Sequence, residues 1–259
     1  MEKPLILVCN DDGITAPGIT HLVALIKKFG KVAVIAPDKP QSGMGHAITI
    51  NSSIRINKTN YHNVEIEYSC TGTPVDCVKM AVNKILPRKP DLCISGINHG
   101  SNSSINIIYS GTMSAALEGS LEGIPSIGFS LCDYAHEADF DQASEYIEKI
   151  IFNTINKNIS GSFCLNVNIP KIKKDEIKGI KYCRQAKANW VEEFDERTDP
   201  YGRKYYWLTG KFVNFEEENS ETDEWALRNG FISIVPVKTD LTDFEKLNDL
   251  NNELNEQAS

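Results

Sequence analysis

The segment Leu5-Ile6-Leu7-Val8-Cys9-Asn10-Asp11-Asp12-Gly13 decides how the chain is read. Residues 5–10 form an essentially apolar run of strand length, the mark of a strand covered on both faces, and Asp11-Asp12-Gly13 then makes a turn. Pro17 suits the first turn of a helix, and Ile19, Leu22, Val23, Ile26 and Phe29 recur at helical spacing until Gly30. Val32 to Ala36 is a second apolar strand, closed by Pro37-Asp38. Residues 5–36 therefore read as a βαβ unit, a parallel strand pair joined by a right-handed crossover.

The pattern continues outward. Thr73-Pro74-Val75-Asp76 is a capped helix start, with Val75, Val78, Val82 and Ile85 as its buried stripe. Asp91 to Ile94 is another buried strand, ending at Ser95-Gly96-Ile97-Asn98. A helix over about 112–122 precedes a strand at 126–131, and a longer helix over about 137–156 precedes a strand at 163–169. This alternation predicts a Rossmann-like α/β fold with a doubly wound, mostly parallel sheet and ligands at the strand C-termini. Ala47 to Ile56 and Val64 to Ser69 alternate like antiparallel strands of an inserted hairpin.

Beyond about residue 180 the character changes. All three tryptophans (Trp190, Trp207, Trp225) fall there, in aromatic strand-like stretches, followed by a return strand at 231–237 and a polar helix from Leu241 to Ser259. Phe244, Leu247, Leu250 and Leu254 share one face of that helix. The chain thus divides into a catalytic core, 1–180, and a C-terminal extension, 181–259, whose protruding aromatic arm suits oligomerisation.

Composition narrows the function. The 259 residues carry 27 Lys plus Arg against 35 Asp plus Glu, a net charge of −8, with 41% hydrophobic and 24% charged residues. Those are the proportions of an ordinary globular protein, and the absence of a basic cluster excludes a duplex nucleic-acid partner. Residues 192–224 hold eleven acidic and four basic residues, so −7 of the −8 lies in the arm. The core is near neutral, and a phosphate ester bound there needs a localised device such as a metal ion or a helix N-terminus. Seven scattered cysteines without a C-x-x-C pair read as buried thiols rather than a zinc site or disulfide framework. With no signal-peptide or spanning segment at the start, they predict a cytoplasmic protein without a membrane partner.

Four constellations carry chemistry. Adjacent carboxylates Asp11 and Asp12 repel one another, which a hard divalent cation such as Mg²⁺ or Mn²⁺ relieves; an Asx turn capping the next helix is the alternative. Ser42-Gly43, in the loop Asp38 to Gly45, reads as a phosphate-approaching loop or as plain surface. Asn98 offers a carbonyl oxygen to a hard metal, and His99 either protonates a leaving oxygen or is a hydrogen-bonded structural histidine. Tyr109-Ser110-Gly111-Thr112 opens a helix as an anion site or an ordinary N-cap. Walker A and G-x-G-x-x-G motifs are absent.

Together these segments resemble one family. Ile6 to Ile19, Ala36-Pro37-Asp38 with Ser42-Gly43, Gly72 to Val78, Ser95 to Gly100 and Tyr109 to Thr112 are similar to the SurE (survival protein E) nucleotidases. The likeness continues in Glu118-Gly119, Asn166 to Pro170 and Thr222-Asp223…Ala226…Gly230…Ser233 to Pro236, and covers about residues 5–237 in order. It departs at Val235-Pro236-Val237, where the family often has Thr-Pro-Leu, and at the variable stretch Met44-Gly45-His46. The resemblance implies a metal-dependent 5′-nucleotidase hydrolysing nucleoside 5′-monophosphates, and also 3′-monophosphates and short polyphosphate. It further implies a C-terminal region exchanged between subunits of a homodimer or homotetramer. Carried over by position, Asp11, Asp12, Ser42 and Asn98 would hold one cation per subunit, and Asn102 with Ser110, Gly111 and Thr112 would hold the phosphate. Asp11 and Asp12 are the expected catalytic pair, with Asp11 orienting or activating the attacking water. Two alternatives are an aspartyl-phosphate phosphatase with a nucleophilic Asp11 or Asp12, and a noncatalytic metal-dependent nucleotide-binding module.

Overall fold

The computed structural model describes residues 3–135, 137–156 and 161–257. Eleven strands form in chain order: β1 (Leu5–Cys9), β2 (Lys31–Pro37), β3 (Ile56–Lys58), β4 (Ile66–Cys70), β5 (Leu92–His99), β6 (Ser126–Leu131), β7 (Cys164–Ile169), β8 (Gly179–Tyr182), β9 (Ala188–Thr198), β10 (Lys204–Asn214) and β11 (Phe231–Val237). Six helices accompany them: α1 (Pro17–Ile26), α2 (Pro74–Met80), α3 (Gly111–Leu121), α4 (Ser144–Asn156), α5 (Asp223–Arg228) and α6 (Phe244–Gln257).

Nine strands make one sheet in the order β3-β4-β2-β1-β5-β6-β7-β11-β8. From β4 to β7 every neighbouring pair is parallel. β3 runs antiparallel to β4, and β11 antiparallel to β7 and parallel to β8. The chain builds outward from β1 through β2 to β4, then crosses back to place β5 on the other side of β1. That reversal opens a crevice at the carboxyl ends of β1 and β5, where open α/β sheets bind ligands.

The apolar run of β1 is explained by its place at the centre. Ile6 and Val8 point into a core layer shared with α1 and α4, whereas Leu5, Leu7 and Cys9 point into the opposite layer with α2 and α3. Side chains alternate across a strand, so only a sheet covered on both faces buries all five.

The structure departs from the periodicity in several places. No strand forms over 47–55, because Thr73 Oγ donates to the Ala47 carbonyl at 2.7 Å and Thr49 Oγ to Asp76 at 2.5 Å, tying the segment to α2. Only β3 remains of that expected strand; it still pairs antiparallel with β4, and β4 in turn joins the main sheet in parallel with β2, so the expected hairpin is shortened and forms the edge of the main sheet. β5 continues to His99, since pairing with β6 resumes at Asn98↔Ser130 after a register shift. The helix expected over 137–156 starts at Ser144, after a 3-10 turn at Asp141–Ala143 preceded by Asp139, whose carboxylate accepts the Asp141 N–H.

The division placed at residue 180 falls inside β8, and β11 inserts between β7 and β8, so part of the extension belongs to the main sheet. Its protruding part is the antiparallel β9–β10 hairpin, whose Phe194, Trp207 and Leu208 are 59–66% exposed. Phe244, Leu247 and Leu250 on α6 are also exposed; positions 258 and 259 of the expected helix lie outside the described residues. Five cysteines are buried and Cys132 and Cys183 half-buried, all seven unpaired. No helix among the described residues is long and apolar enough to cross a membrane.

Candidate active site

Asp11 and Asp12 follow β1 after Asn10, at the crevice. Asp11 is only 4% exposed. Its Oδ1 accepts the Thr112 hydroxyl of α3, and its backbone carbonyl accepts the Gln41 N–H at 2.7 Å. Burial, reinforced by the neighbouring Asp12 charge and opposed by the Thr112 hydrogen bonds, raises its carboxyl from an ordinary 3.8 to about 6. Burial also raises the half-buried Asp12, against the opposing influence of the His99 ring and backbone N–H. Two desolvated neighbouring carboxylates invite positive charge between them.

The N-terminus of α3 supplies the facing wall. Ser110 is its N-cap and accepts the Met113 N–H at 3.0 Å. Gly111 follows because nothing larger fits: a Cβ there would lie 2.6 Å from the Asp11 Cβ and 2.9 Å from its Oδ2. The helix start can therefore press against the carboxylate, with its unshared N–H groups and positive dipole end at the crevice.

Ser42 rides on an arch over residues 38–49. The arch is tied at Gln41 N–H to the Asp11 carbonyl, at Gly45 N–H to the Tyr109 carbonyl (3.1 Å), and at His46 Nε2 to Glu118 Oε2 (2.9 Å). Glu118, whose side chain is 3% exposed on α3, also receives Lys79 of α2 at 2.5 Å. Ser42 thus sits exposed between an anchor on Asp11 and one beside Ser110.

Asn98 is the penultimate residue of β5, and its Nδ2 donates to the Gly100 carbonyl at 3.0 Å, leaving its oxygen as the end a cation would use. Asn102 is buried beneath this turn. Its Nδ2 donates to Ser130 Oγ at 2.8 Å, and its backbone N–H and carbonyl are held by Asn168 and Asn166, each at 2.8 Å. These bonds tie Asn102 and its turn to β6 and β7.

The structure therefore gathers Asp11, Asp12, Ser42, Asn98, Ser110, Gly111 and Thr112 around one crevice from four separate segments. His99 is held at the same edge: its Nδ1 lies 3.2 Å from the Ala135 carbonyl and its ring packs edge-on to Phe140. Reading the residues one motif at a time missed Asn10, the pair Asn166 and Asn168, and the tie between Glu118 and His46. Asn10 is buried with its Oδ1 unpartnered among the described residues, while its Nδ2 donates to the Gly13 carbonyl at 2.8 Å. Asn166 and Asn168 were legible as two amides on one face of a buried strand. The Glu118–His46 tie has no local signal, since 72 residues separate its ends.

No group of three or more His, Cys, Asp or Glu side chains converges among the described residues. The available donors are two carboxylates with hydroxyl and amide oxygens, the set suited to a hard divalent ion and unlike a thiolate or imidazole zinc site. The raised carboxyl of Asp11 and the orphaned Asn10 Oδ1 both fit such an ion.

This crevice lies at the topological switch point of an open α/β sheet, the place where enzymes of this class bind their ligands. The family model described as Survival protein SurE matches residues 6–192, and the chain belongs to this family. It is 60% identical over 253 residues to the 5′-nucleotidase SurE of Flavobacterium psychrophilum, covering 97% of this chain and 98% of that one. It is 45% identical over 249 residues to the 5′-nucleotidase SurE of Bacteroides fragilis, covering 96% and 97%. The crystal structure of the SurE protein from Aquifex aeolicus superposes with a TM-score of 0.82 at 38% identity, covering 96% of this chain and 99% of that one.

Proposed function

We propose that the protein is a 5′-nucleotidase that hydrolyses nucleoside 5′-monophosphates to nucleoside and phosphate, using one divalent cation per subunit. The observation that carries this is the buried Asp11 carboxylate pressed against the N-terminus of α3 at the switch-point crevice. Carboxylates attract a cation, the helix start attracts an anion, and a phosphomonoester brought by its counterion satisfies both. The names of the similar proteins support the same activity.

Asp11, Asp12, Ser42 and Asn98 would hold Mg²⁺ or Mn²⁺. When bound, the cation supplies charge neutralisation and polarises the phosphorus. The N–H groups at the start of α3 would bind the equatorial phosphate oxygens and offset the charge that grows on them. Thr112 holds Asp11 through Oδ1, which leaves Oδ2 to orient the attacking water and accept its proton. Recognition centred on phosphate extends the proposed activity to 3′-monophosphates and short polyphosphate. Asp11 is buried with its Oδ1 engaged by the Thr112 hydroxyl, which favours this role over direct attack on phosphorus.

The exposed aromatic arm and the apolar face of α6 support assembly into a homodimer or homotetramer. Seven free thiols support residence in the reducing cytoplasm. The test is phosphate release from 5′- and 3′-monophosphates and tripolyphosphate with Mg²⁺, Mn²⁺ or EDTA, for the parent, Asp11→Asn and Asp12→Asn. Turnover that requires metal and both carboxylates is expected. Parent-rate hydrolysis in EDTA or by the variants would refute the assignment, and metal-dependent binding without phosphate release would make the protein a sensing module.

A further inference from the structure

Tyr134 stands in the loop after β6, at the same carboxyl edge as the crevice. It is 74% exposed, yet its ring is not loose. It lies against the backbone at Gly100, where a Cβ would fall 2.2 Å from Cε1, 2.6 Å from Cδ1 and 2.9 Å from Cζ. Gly100 also has φ +97, so a side chain there is excluded by conformation as well as by the ring. The Ser101 N–H donates to the Tyr134 hydroxyl at 3.3 Å. Both flanks are held: Asp133 accepts the Ala135 N–H at 3.0 Å and Lys171 at 2.8 Å, and Gly100 N–H bonds the Leu131 carbonyl at 2.8 Å.

A large aromatic ring is thus seated by backbone contacts while most of its surface is left in water. Burial of apolar side chains drives folding, so a fixed ring left exposed needs an external partner to gain from its rigidity. Its location says which. Gly100 is two residues from Asn98 and one from His99, whose backbone N–H faces the Asp12 carboxylate. A flat group attached to a phosphate held at Asp11 and Asp12 would lie over this turn.

We infer that Tyr134 is the stacking platform for the nucleobase, and so the residue that separates nucleotides from other phosphomonoesters. The inference rests on the nucleotidase reading above. Every base has a π-face, so the platform binds nucleotides as a class and leaves choice among bases weak.

Steady-state kinetics of the parent, Tyr134→Leu, Tyr134→Phe and Tyr109→Ala on nucleoside 5′-monophosphates and on ribose 5-phosphate, which lacks a base, tests this. Tyr134→Leu should raise KM for the nucleotides by about 5- to 150-fold, the range of base–aromatic stacking, with kcat within about twofold. Its constants for ribose 5-phosphate should not change, and Tyr134→Phe should keep the parent KM. An unchanged nucleotide KM in Tyr134→Leu, an equal rise for ribose 5-phosphate, or a rise confined to Tyr109→Ala, whose ring is the other exposed aromatic at this edge, would overturn the inference alone. A parent that releases phosphate from ribose 5-phosphate but from no nucleotide would overturn the nucleotidase reading and the inference with it.

Discussion

Replacing Asp11 by Asn should abolish catalysis and yet stabilise the metal-free protein. The raised carboxyl, from 3.8 to about 6, means that the native state opposes ionisation by about 3 kcal/mol, at about 1.4 kcal/mol for each tenfold. Between these values the native state holds more protons than the unfolded chain, so stability falls as pH rises through the window. The penalty grows from about 1.5 kcal/mol near pH 5 to about 3 kcal/mol near pH 7.5. Asparagine keeps the shape and still accepts the Thr112 hydroxyl through its oxygen, so it removes the charge without opening a cavity. Urea unfolding in EDTA should therefore show Asp11→Asn more stable than the parent by those two amounts at the two pH values. Near pH 7.5 a large excess of Mg²⁺ or Mn²⁺ should reverse the order, since about a thousandfold excess over Kd stabilises the parent by about 4.1 kcal/mol, more than the penalty of about 3 kcal/mol, and the variant by little. An Asp11→Asn protein that is less stable in EDTA near pH 7.5, or whose gain does not depend on pH, would refute the electrostatic account.

Three further outcomes follow from the same geometry. Thr112→Val removes the side-chain donor that lowers the Asp11 value; stability in EDTA should drop by about 1–3 kcal/mol near pH 7.5 and much less near pH 5. Gly111→Ala would gain up to about 1 kcal/mol of helix propensity in isolation, but its Cβ would press on Asp11 at 2.6 Å; a net loss of about 1–3 kcal/mol by thermal unfolding and a large fall in kcat are expected. Burial would raise the Glu118 carboxyl, but hydrogen bonds from His46 and Lys79 outweigh it and hold the group below the ordinary range. Its stabilising contribution is therefore present above the unfolded value and lost as pH falls through the folded one. Glu118→Gln should loosen the arch that carries Ser42 and weaken metal affinity by isothermal titration, with far-UV dichroism unchanged.

Much of the molecule was legible in the sequence because its signals are local. The apolar run of β1, the helical spacing of α1, the Thr73 capping box and the Asp11-Asp12-Gly13 turn each depend on neighbours within a few residues. Strand and helix alternation then determined a parallel α/β sheet, and the order of the motifs determined the family. The segment 47–55 was misread because alternation cannot see Asp76 and Thr73, whose bonds take the backbone partners a strand would have used. Only the tertiary structure decided that Asp11, Ser42, Asn98 and Thr112, drawn from four segments, meet at the point where the strand order reverses. It alone also set the charge state of Asp11, buried Asn102 and seated Tyr134 on Gly100. The physical reason is common to all of these: burial, close approach and electrostatic coupling depend on distances between chain segments, and those distances exist only after the sheet has formed.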